Sequence, residues 1–343
     1  MPDQSISNVE DLELALSEPT PAVVDLFRQM EGDLLILGVG GKMGPTLARM
    51  AQRANQAAGT KRRIVGISRF GSGDLQHRLN QWGIETIASD LLDEQQLRKL
   101  PDAPNIVYMA GMKFGSSGNE PLTWAMNAYL PGMVCRRYPQ SRIAAFSTGN
   151  IYGLLPIHYG GSMETDPLNP TGDYAMSCLG RERIFEHFAK ANNQPISLIR
   201  LNYACELRYG VLVDMARKVW QGQPIDLAMG NFNVIWQGDA NAMSLLTLLT
   251  AASPAAVLNV AGPEIMSVRR VCEQYSRLMN KPVQFIGQEA ADALLSNGQL
   301  GHRLFGYPRI SVNQIILWIA DWVMHGGSDL GKPTHFETRN GKF

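Results

Sequence analysis

The sequence DLLILGVGGKMG, at residues 33–44, places a short apolar run directly before a cluster of glycines. A continuous run such as 34–37 is typical of a strand buried in a parallel sheet, and residues 46–56 have the pattern of a helix. Glycines between such a strand and helix predict a turn that binds a dinucleotide pyrophosphate. In that turn Gly38 allows the tight bend, Gly41 lets the backbone approach the phosphates, and Gly44 lets the helix pack on the sheet. Gly40, Lys42 and Met43 complete the expected cofactor contacts, and the helix N-terminus offers free N–H groups.

The same alternation of apolar runs and amphipathic stretches continues along the chain. Strands are predicted at 63–68, 85–88, 105–110, 142–147 and 196–201, and helices at 93–99, 122–137 and 174–191. Strands that alternate with helices predict βαβ units. The predicted fold class is therefore α/β, a Rossmann doubly wound parallel sheet with a smaller C-terminal substrate domain.

The predicted domains follow from where this alternation starts and stops. Residues 1–32 form a helical lead-in, and residues 33–204 form the dinucleotide-binding domain, to which 233–261 return. Residues 205–232 and 262–343 form the smaller domain and a polar tail. Beyond 205 we expect helices at 211–221, 241–252, 268–278 and 312–324, and strands at 232–236 and 257–260.

The end of the second predicted strand bears on the choice of cofactor. An Asp or Glu there binds the adenosine ribose hydroxyls of NAD, whereas this chain has Ser68 and Arg69. An Arg can pair with a 2′-phosphate and stack on adenine, so the sequence favours NADP and leaves NAD open. The alternative is that Arg69 is a solvated loop residue.

Composition narrows the class of protein. The 343 residues carry 31 basic and 31 acidic side chains and no long basic block, so nucleic acid is not an expected partner. Four widely spaced cysteines show no zinc-binding pattern, and we expect free thiols and no metal. The acidic N-terminus does not resemble a signal peptide, and the apolar run at 315–320 is too short to span a bilayer. We therefore expect a cytoplasmic protein without a membrane partner.

Taken in order, these motifs resemble the extended short-chain dehydrogenase/reductase family, the NAD-dependent epimerase/dehydratases, over roughly residues 33–325. The matching positions are the glycine turn, Asp90 and Leu91 at the adenine, Ala110 and Gly111 after the fourth strand, Asn127, the stretch 147–153, Tyr174, Glu182, the stretch 200–202 and Asp239. The resemblance implies an NAD(P)-binding enzyme that acts on a sugar or sugar derivative.

The family's chemistry assigns roles to three side chains, one of which this sequence lacks. The resemblance makes Tyr174 the general acid/base and Thr148 the residue that polarises the same substrate oxygen. A Lys four residues after the Tyr shares its helix face and acidifies it, but here that position is Cys178. A neutral thiol offers no positive charge. Arg181 lies two turns along the same face and could supply charge, although an exposed surface residue is the expectation.

A second departure bears on the reaction. The family's 4,6-dehydratases carry Asp-Glu after the strand-end Thr, whereas this chain has Gly149 and Asn150, which argues against dehydration. Oxidation, reduction or epimerisation of a sugar-like substrate stays open. Expected substrate contacts are Asn150, Tyr152, Asn202 and Arg208, with simple packing as the alternative for Tyr152. The loss of the Lys supports a second hypothesis, an impaired NAD(P)-binding sensor or scaffold. The resemblance further implies a homodimer formed through helices 122–137 and 174–191.

Overall fold

Seven parallel strands form the centre of the molecule, in the order β12-β7-β5-β4-β1-β2-β3. The structure is a computed structural model that describes residues 6–71, 73–113, 115, 118–332 and 334–341. The strands are β1 (Leu34–Leu37), β2 (Ile64–Ser68), β3 (Glu85–Ala88), β4 (Asn105–Tyr108), β5 (Arg142–Thr148), β6 (Leu155–Pro156), β7 (Ile196–Leu201), β8 (Ala204–Cys205), β9 (Ile225–Asp226), β10 (Asn231–Phe232), β11 (Ile235–Trp236), β12 (Ala256–Val260), β13 (Met266–Ser267), β14 (Phe285–Ile286) and β15 (Asp292–Ala293).

Helices cover both faces of this sheet. They are α1 (Val9–Leu16), α2 (Pro21–Gln29), α3 (Gly44–Ala57), α4 (Leu75–Gln81), α5 (Glu94–Lys99), α6 (Glu120–Trp124), α7 (Leu130–Arg137), α8 (Gly172–Asn192), α9 (Val211–Trp220), α10 (Gln237–Leu246), α11 (Val268–Met279), α12 (Gln299–Phe305) and α13 (Val312–Met324). A π-helix, Ala125–Tyr129, joins α6 to α7, and 3₁₀ turns occupy Gly149–Tyr152, Ile157–Tyr159 and Thr247–Leu249.

Strand β1 lies between β2 and β4, and all four of its side chains are buried. One face of the sheet packs on α2, α3 and α10, and the other packs on α5, α7 and α8. A strand enclosed on both faces must be apolar throughout, which is why 34–37 reads as an unbroken apolar run. The predicted doubly wound α/β fold is confirmed.

A third apolar cluster builds the smaller C-terminal part of the molecule. It consists mainly of α9, α11 and α13, and Leu12 and Leu16 of α1 also pack into it. Strand β12 returns to the main sheet and pairs with β7. The division into domains at the residues given above stays a prediction.

Three element predictions differ from the structure. The single strand at 232–236 is instead two short strands, β10 and β11, which pair with different partners, β13 and β8. Between them Asn233 is buried and donates to the carbonyls of Gly262 and Ser296, which turns the chain away from a continuous ladder. The helix at 122–137 begins at Glu120 and contains the π-helix, and the helix at 241–252 ends earlier, as α10 and a 3₁₀ turn.

Across the described ranges, none of the helices combines the length and apolar character needed to cross a membrane.

Candidate active site

The glycine turn connects β1 to α3 at the carboxyl edge of the sheet. Gly38 has a φ of +93°, and a Cβ at this position would lie 2.6 Å from the backbone nitrogen of Ala110. A Cβ on Gly44 would lie 2.2 Å from the carbonyl oxygen of Val39, so only glycine lets α3 begin this close to the turn. A Cβ on Gly41 would meet only an ordinary contact, 3.5 Å from the carbonyl oxygen of Gly38, and Gly41 lines the cavity, so its backbone can approach a phosphate.

A cavity of about 250 Å³ opens directly beyond this turn. It is enclosed by the glycine turn, the ends of β4 and β5, the first turns of α8, the segment from β7 to α9, and the C-terminal tail. The lining residues are Gly38, Gly41, Lys42, Met43, Met109, Gly111, Met112, Lys113, Phe146, Ser147, Thr148, Tyr174, Arg181, Leu201, Tyr203, Ala204, Tyr209, Gly210, Val211 and Thr334. The predicted phosphate turn and the predicted catalytic pair thus share one cavity.

Tyr174 lies in the first turn of α8, and the side chains of Thr148 and Cys178 are close enough to its hydroxyl to alter the pKa of the phenol. Burial raises the pKa of Tyr174 above its ordinary value of 10, and neighbouring Cys178 adds to the rise. Burial likewise raises the pKa of the Cys178 thiol, which is fully buried. The side chain four residues after Tyr174 is therefore a neutral thiol that lies close to the phenol.

Arg181 is buried, which corrects the expectation of an exposed surface residue. Its guanidinium donates to the carbonyl oxygen of Phe146 at 2.8 Å and to Oδ1 of Asn127 at 2.6 Å. Its attraction for the ionised phenol lowers the pKa of Tyr174 and partly offsets the effect of burial. Arg181 can be buried because backbone carbonyls at the end of β5 and in the π-helix accept hydrogen bonds from its guanidinium group.

Asn127 occupies the π-helix and is fully buried. Its Oδ1 accepts from the N–H of Met112 at 2.8 Å, and its Nδ2 donates to the carbonyl of Met112 at 2.9 Å and to Oγ of Ser177 at 3.0 Å. The predicted cofactor residue Asn127 thus fixes the loop that follows β4. Single π-helical turns are frequent at functional sites.

Two lysines reach the cavity from opposite sides. Nζ of Lys42 donates to the carbonyl of Ala204 at 2.9 Å and lies 4.2 Å from the ring centroid of Tyr209. Nζ of Lys113 lies 5.9 Å from the ring centroid of Tyr174. Burial lowers the pKa of each lysine from 10.5 to about 8. Both amines therefore change charge close to neutral pH.

A buried network holds the end of β5 beneath the cavity. Ser147 donates to Oε1 of Glu182, and Arg200 forms an ion pair with the same carboxylate at 2.8 Å. Both charged groups are nearly inaccessible to solvent, so each depends on the other for its stability in the interior. The network fixes the backbone that presents Thr148.

The remaining predicted cofactor residues lie around the turn and along the edge formed by β2 and β3. Ser68 lies against Gly40, where an added Cβ would be 2.4 Å from its Oγ, and Arg69 follows on the exposed surface. Asp90 accepts from the backbone N–H of Leu92, and Leu91 is buried. Ala110 lies against Gly38, and Gly111 lines the cavity.

The predicted substrate residues do not gather at the cavity. Tyr152 packs inside, where its hydroxyl donates to Asn259 and accepts from Arg200, in line with the packing alternative. Asn202 is buried and donates to Asn233.

The other two predicted substrate residues also have protein partners. The backbone N–H of Asn150 donates to Oγ1 of Thr148, which holds Asn150 next to that hydroxyl. Arg208 pairs with Glu206 at 3.1 Å and lines a second cleft of about 220 Å³ between α9 and the tail.

Sequence patterns did not predict several residues of the site, among them Lys113, Tyr209 and Thr334. Thr334 of the tail lines the cavity and donates through both its N–H and its hydroxyl to Oδ2 of Asp214. The polar composition of the tail gave no sign of this contact. Lys113 lies two residues after Gly111, in the loop that follows β4, and this position is the sequence feature that could have indicated its role.

Within the described ranges, no group of three or more His, Cys, Asp or Glu side chains is arranged to hold a metal ion. All four cysteines are free thiols and buried, as expected from their spacing.

Solved structures of known enzymes share this fold. The chain superposes on dTDP-glucose 4,6-dehydratase from Bacillus anthracis, solved with NAD, with a TM-score of 0.72 and 16% identity over 86% of this chain and 97% of that one. It superposes on the dTDP-glucose 4,6-dehydratase DesIV from Streptomyces venezuelae, solved with NAD and TYD, with a TM-score of 0.71 and 15% identity over 86% and 97%. UDP-glucuronic acid 4-epimerase from Bacillus cereus, solved with NAD, gives 0.68 and 16% identity over 85% and 99%.

A search of curated proteins finds no match to the chain. The sequence profile described as the NAD dependent epimerase/dehydratase family, in contrast, matches residues 34–232, which is more than half of the chain. The chain belongs to the NAD dependent epimerase/dehydratase family, a family of enzymes, as its ordered motifs predicted.

Proposed function

We propose that the protein is an NAD(P)-dependent oxidoreductase or epimerase that acts on a sugar or sugar derivative. The observation that carries this proposal is that Thr148 and Tyr174 lie close together and line the same cavity as the glycine turn. A hydroxyl pair at the carboxyl edge of a parallel sheet lies where doubly wound folds bind their ligands.

The described residues fit a dinucleotide. Gly38 and Gly44 leave no room for a Cβ, Gly41 is open to the cavity, and α3 begins without a side-chain cap on its first N–H groups. Lys42 adds a positive charge beside this turn. Bound there, a nicotinamide supplies a reversible hydride acceptor. The proposed adenosine contacts are Ser68, Arg69, Asp90, Leu91 and Ala110, and Gly40, Met43, Gly111 and Asn127 complete the proposed set.

The finer choice of cofactor rests on Arg69. It is exposed at the carboxyl end of β2, with Ser68 beside it and no carboxylate at either position. A guanidinium at this point can pair with a 2′-phosphate, so we propose a preference for NADP over NAD. The neighbours named above were solved with NAD, so a preference for NADP would distinguish this chain from them.

Proton transfer is assigned to Tyr174, with Thr148 as the hydrogen-bonding partner that polarises the same substrate oxygen. In the oxidative direction Tyr174 takes the proton of a substrate hydroxyl, and in the reductive direction it returns that proton to a carbonyl oxygen. Gly149 and Asn150, which follow Thr148, offer no carboxylate for the elimination of water. The proposed reactions are therefore oxidation, reduction or epimerisation.

The substrate class is supported by two observations of different kinds. The named neighbours include enzymes of dTDP-glucose and UDP-glucuronic acid, and the cavity of this chain lies at the carboxyl edge of its parallel sheet. The lining of the cavity is rich in hydroxyl groups, contributed by Tyr203, Tyr209 and Thr334. Hydroxyl groups donate and accept hydrogen bonds equally well, as a polyhydroxylated substrate requires.

Cys178 supports one competing function, a sensor or scaffold that binds the cofactor without turnover. The thiol is neutral and buried where the family's motif has a charged amine. A thiol in place of the amine would reduce general acid/base catalysis, which typically contributes about 10²–10⁴ in rate.

Calorimetric titration with NADP, NADPH, NAD and NADH tests the cofactor assignment. We expect micromolar or tighter binding with preference for the phosphorylated pair, and Arg69→Ala should weaken only the phosphorylated pair. Arg28→Ala, which removes an exposed Arg of α2, serves as the matched control. Binding of none of the four would contradict the proposal.

Turnover separates the enzyme from the scaffold. A screen of sugars, polyols and nucleotide sugars, followed through the nicotinamide absorbance, should find a substrate whose turnover falls about 10²-fold or more in Tyr174→Phe. Tyr159→Phe is the control, because this Tyr is 67% exposed. Tight cofactor binding without turnover of any compound would favour the scaffold, and full turnover in Tyr174→Phe would remove the role given to Tyr174.

We further propose a homodimer formed through the α6–α7 segment and α8. Four large apolar side chains of these elements are exposed: Leu122, Trp124, Tyr129 and Met176. Contiguous exposed apolar surface is typical of protein interfaces. Light scattering after gel filtration should give a mass close to two chains, and a monomer at micromolar concentration would contradict the proposal.

A further inference from the structure

Helix α8 brings no ammonium group next to Tyr174. The side chain one turn along is the buried thiol of Cys178, and the next charged side chain on that face is Arg181. The N–H groups of Arg181 are held by Phe146 and Asn127, on the side of the helix that faces the end of β5. Arg181 of α8 supplies one positive charge near Tyr174, so any further charge that stands in for the ammonium group at position 178 must come from another element.

Lys113 comes from the loop after β4 and enters the same cavity. Its Nζ lies 5.9 Å from the ring centroid of Tyr174, and it is close enough to Cys178 of α8 to alter the pKa of that thiol. Lys113 and Tyr174 are 61 positions apart in the sequence but line the same cavity.

The loop that carries Lys113 is anchored at the residue before it. Asn127 bonds both the N–H and the carbonyl of Met112, at 2.8 and 2.9 Å. Gly111 packs against Arg181 so closely that a Cβ would lie 2.3 Å from a guanidinium nitrogen. Because Arg181 also bonds Asn127, one buried set of contacts fixes both the path of the loop and the charge beneath it. A charged side chain on a fixed backbone loses less conformational entropy when it interacts with a neighbour.

Resting on the role proposed for Tyr174, we propose that Lys113 is a positioning residue that supplies, from the β4 loop, the positive charge that Cys178 cannot supply. Its ammonium group stabilises the ionised phenol and so makes Tyr174 a better proton acceptor. The ionisable groups that face Lys113 are Cys178 of α8, Asp214 of α9 and Lys42 of the glycine turn. Tyr174 also faces Arg181, which acts in the same direction.

The pH range of this effect follows from the lysine. Burial lowers the pKa of Lys113 to about 8, so the amine is charged at neutral pH and loses its charge as the pH rises through 8. The support for ionised Tyr174 is therefore present below pH 8 and disappears above it.

The test is a titration of the phenol at position 174 that needs neither cofactor nor substrate. Trifluorotyrosine, whose phenol is intrinsically more acidic, replaces Tyr174 by site-specific incorporation, and ¹⁹F NMR follows its ionisation. At an effective dielectric constant of about 20, a unit charge about 6 Å away shifts a pKa by roughly one to two units. Lys113 loses its charge near pH 8, whereas an arginine stays charged, so the informative comparison is between Lys113→Arg and Lys113→Met. The phenol pKa should be lower in Lys113→Arg than in Lys113→Met by that amount.

Two further variants separate charge from structure. Lys42→Met removes the other cavity lysine, which lies against Tyr209, and should shift the phenol at position 174 much less. Cys178→Lys added to Lys113→Met should lower the phenol pKa relative to Lys113→Met alone, whereas Cys178→Met should not. Lys113→Gln takes the place of Lys113→Met if the apolar variant does not fold, as judged by circular dichroism.

Equal phenol pKa values in Lys113→Arg and Lys113→Met (or Lys113→Gln) would overturn the proposal, as would a shift of the same size in Lys42→Met. Either result would leave the cofactor assignment untouched, because that assignment is tested by calorimetry. Conversely, a protein that binds none of the four cofactors can still show the shift of the phenol pKa, so the two failures are distinguishable.

Discussion

Lys42 links the charge of the glycine turn to pH. Burial lowers its pKa to about 8, so the amine is protonated below that pH and neutral above it. If Lys42 pairs with the cofactor pyrophosphate, affinity for NADPH should fall as the pH rises from 7 to 9, by about tenfold for one charge-assisted hydrogen bond. Bound phosphate favours the charged amine and moves the midpoint above 8.

Lys42→Met should bind NADPH more weakly at pH 7 and should show a shallower dependence on pH, as measured by fluorescence titration of the nicotinamide. Lys61→Met, which changes an exposed Lys before β2, should keep the slope of the unaltered protein. A Lys42→Met protein with the full original slope would contradict a role for this amine.

At the same scale, the sequence predicted the pair of Thr148 and Tyr174 but not the charges around it. The pair is predictable because one residue ends a parallel strand and the other opens the helix that follows, so both reach the same edge of the sheet. Lys113 depends on the path of a loop, which spacing does not encode. Arg181 was misjudged because a helical Arg is usually exposed, and its acceptors here are backbone oxygens that no motif records.

The π-helix is the element that connects the fold to the site. Asn127 makes its four hydrogen bonds with Met112, Ser177 and Arg181, all of them inside the protein. Asn127→Leu leaves these partners buried without acceptors or donors, and it should lower the free energy of unfolding by about 3 kcal/mol or more.

Urea unfolding measures this loss, and hydrogen exchange at the Met112 amide should become faster in the same variant. Asn313→Leu is the control, because this exposed amide bonds only the half-buried Gln274 in the described structure, and it should change stability by less than about 0.5 kcal/mol. Equal effects of the two substitutions would show that Asn127 has no special part in holding the loop.

The helices and strands with a sustained apolar pattern were predicted most accurately. Helix α13 matches its predicted range of 312–324, and the core strands match within a few residues, since burial on both faces leaves only apolar choices. The π-helix escaped because one extra residue per turn shifts the apolar face too little to read in a single sequence. The break at Asn233 escaped because its partners, Gly262 and Ser296, are distant in the chain.

Over the whole molecule, the C-terminal tail ties the smaller part of the fold to the helix that carries Tyr174. Thr334 bonds Asp214 of α9, Phe336 is buried in the core of the smaller part, and Gly341 lies against the residue that opens α8. A polar tail without periodicity gave no sequence signal for these contacts, because each partner is supplied by a different element. This wall of the cavity therefore forms only when these distant segments come together in the folded chain.

A chain that ends at Lys332 should keep the central sheet and lose the order of the cavity wall. Loss of the buried Phe336 should lower the free energy of unfolding by about 3 kcal/mol, and Phe336→Ala alone should account for most of it. Glu337→Ala removes a partly exposed ion pair with Lys218 and should cost less than about 1 kcal/mol. Hydrogen exchange in the shortened chain should become faster at the start of α8 and in α9, while β1, β4 and β5 stay protected. Loss of protection spread evenly over the sheet would mean that the tail stabilises the whole fold and not the cavity, because the sheet's own core does not include the tail.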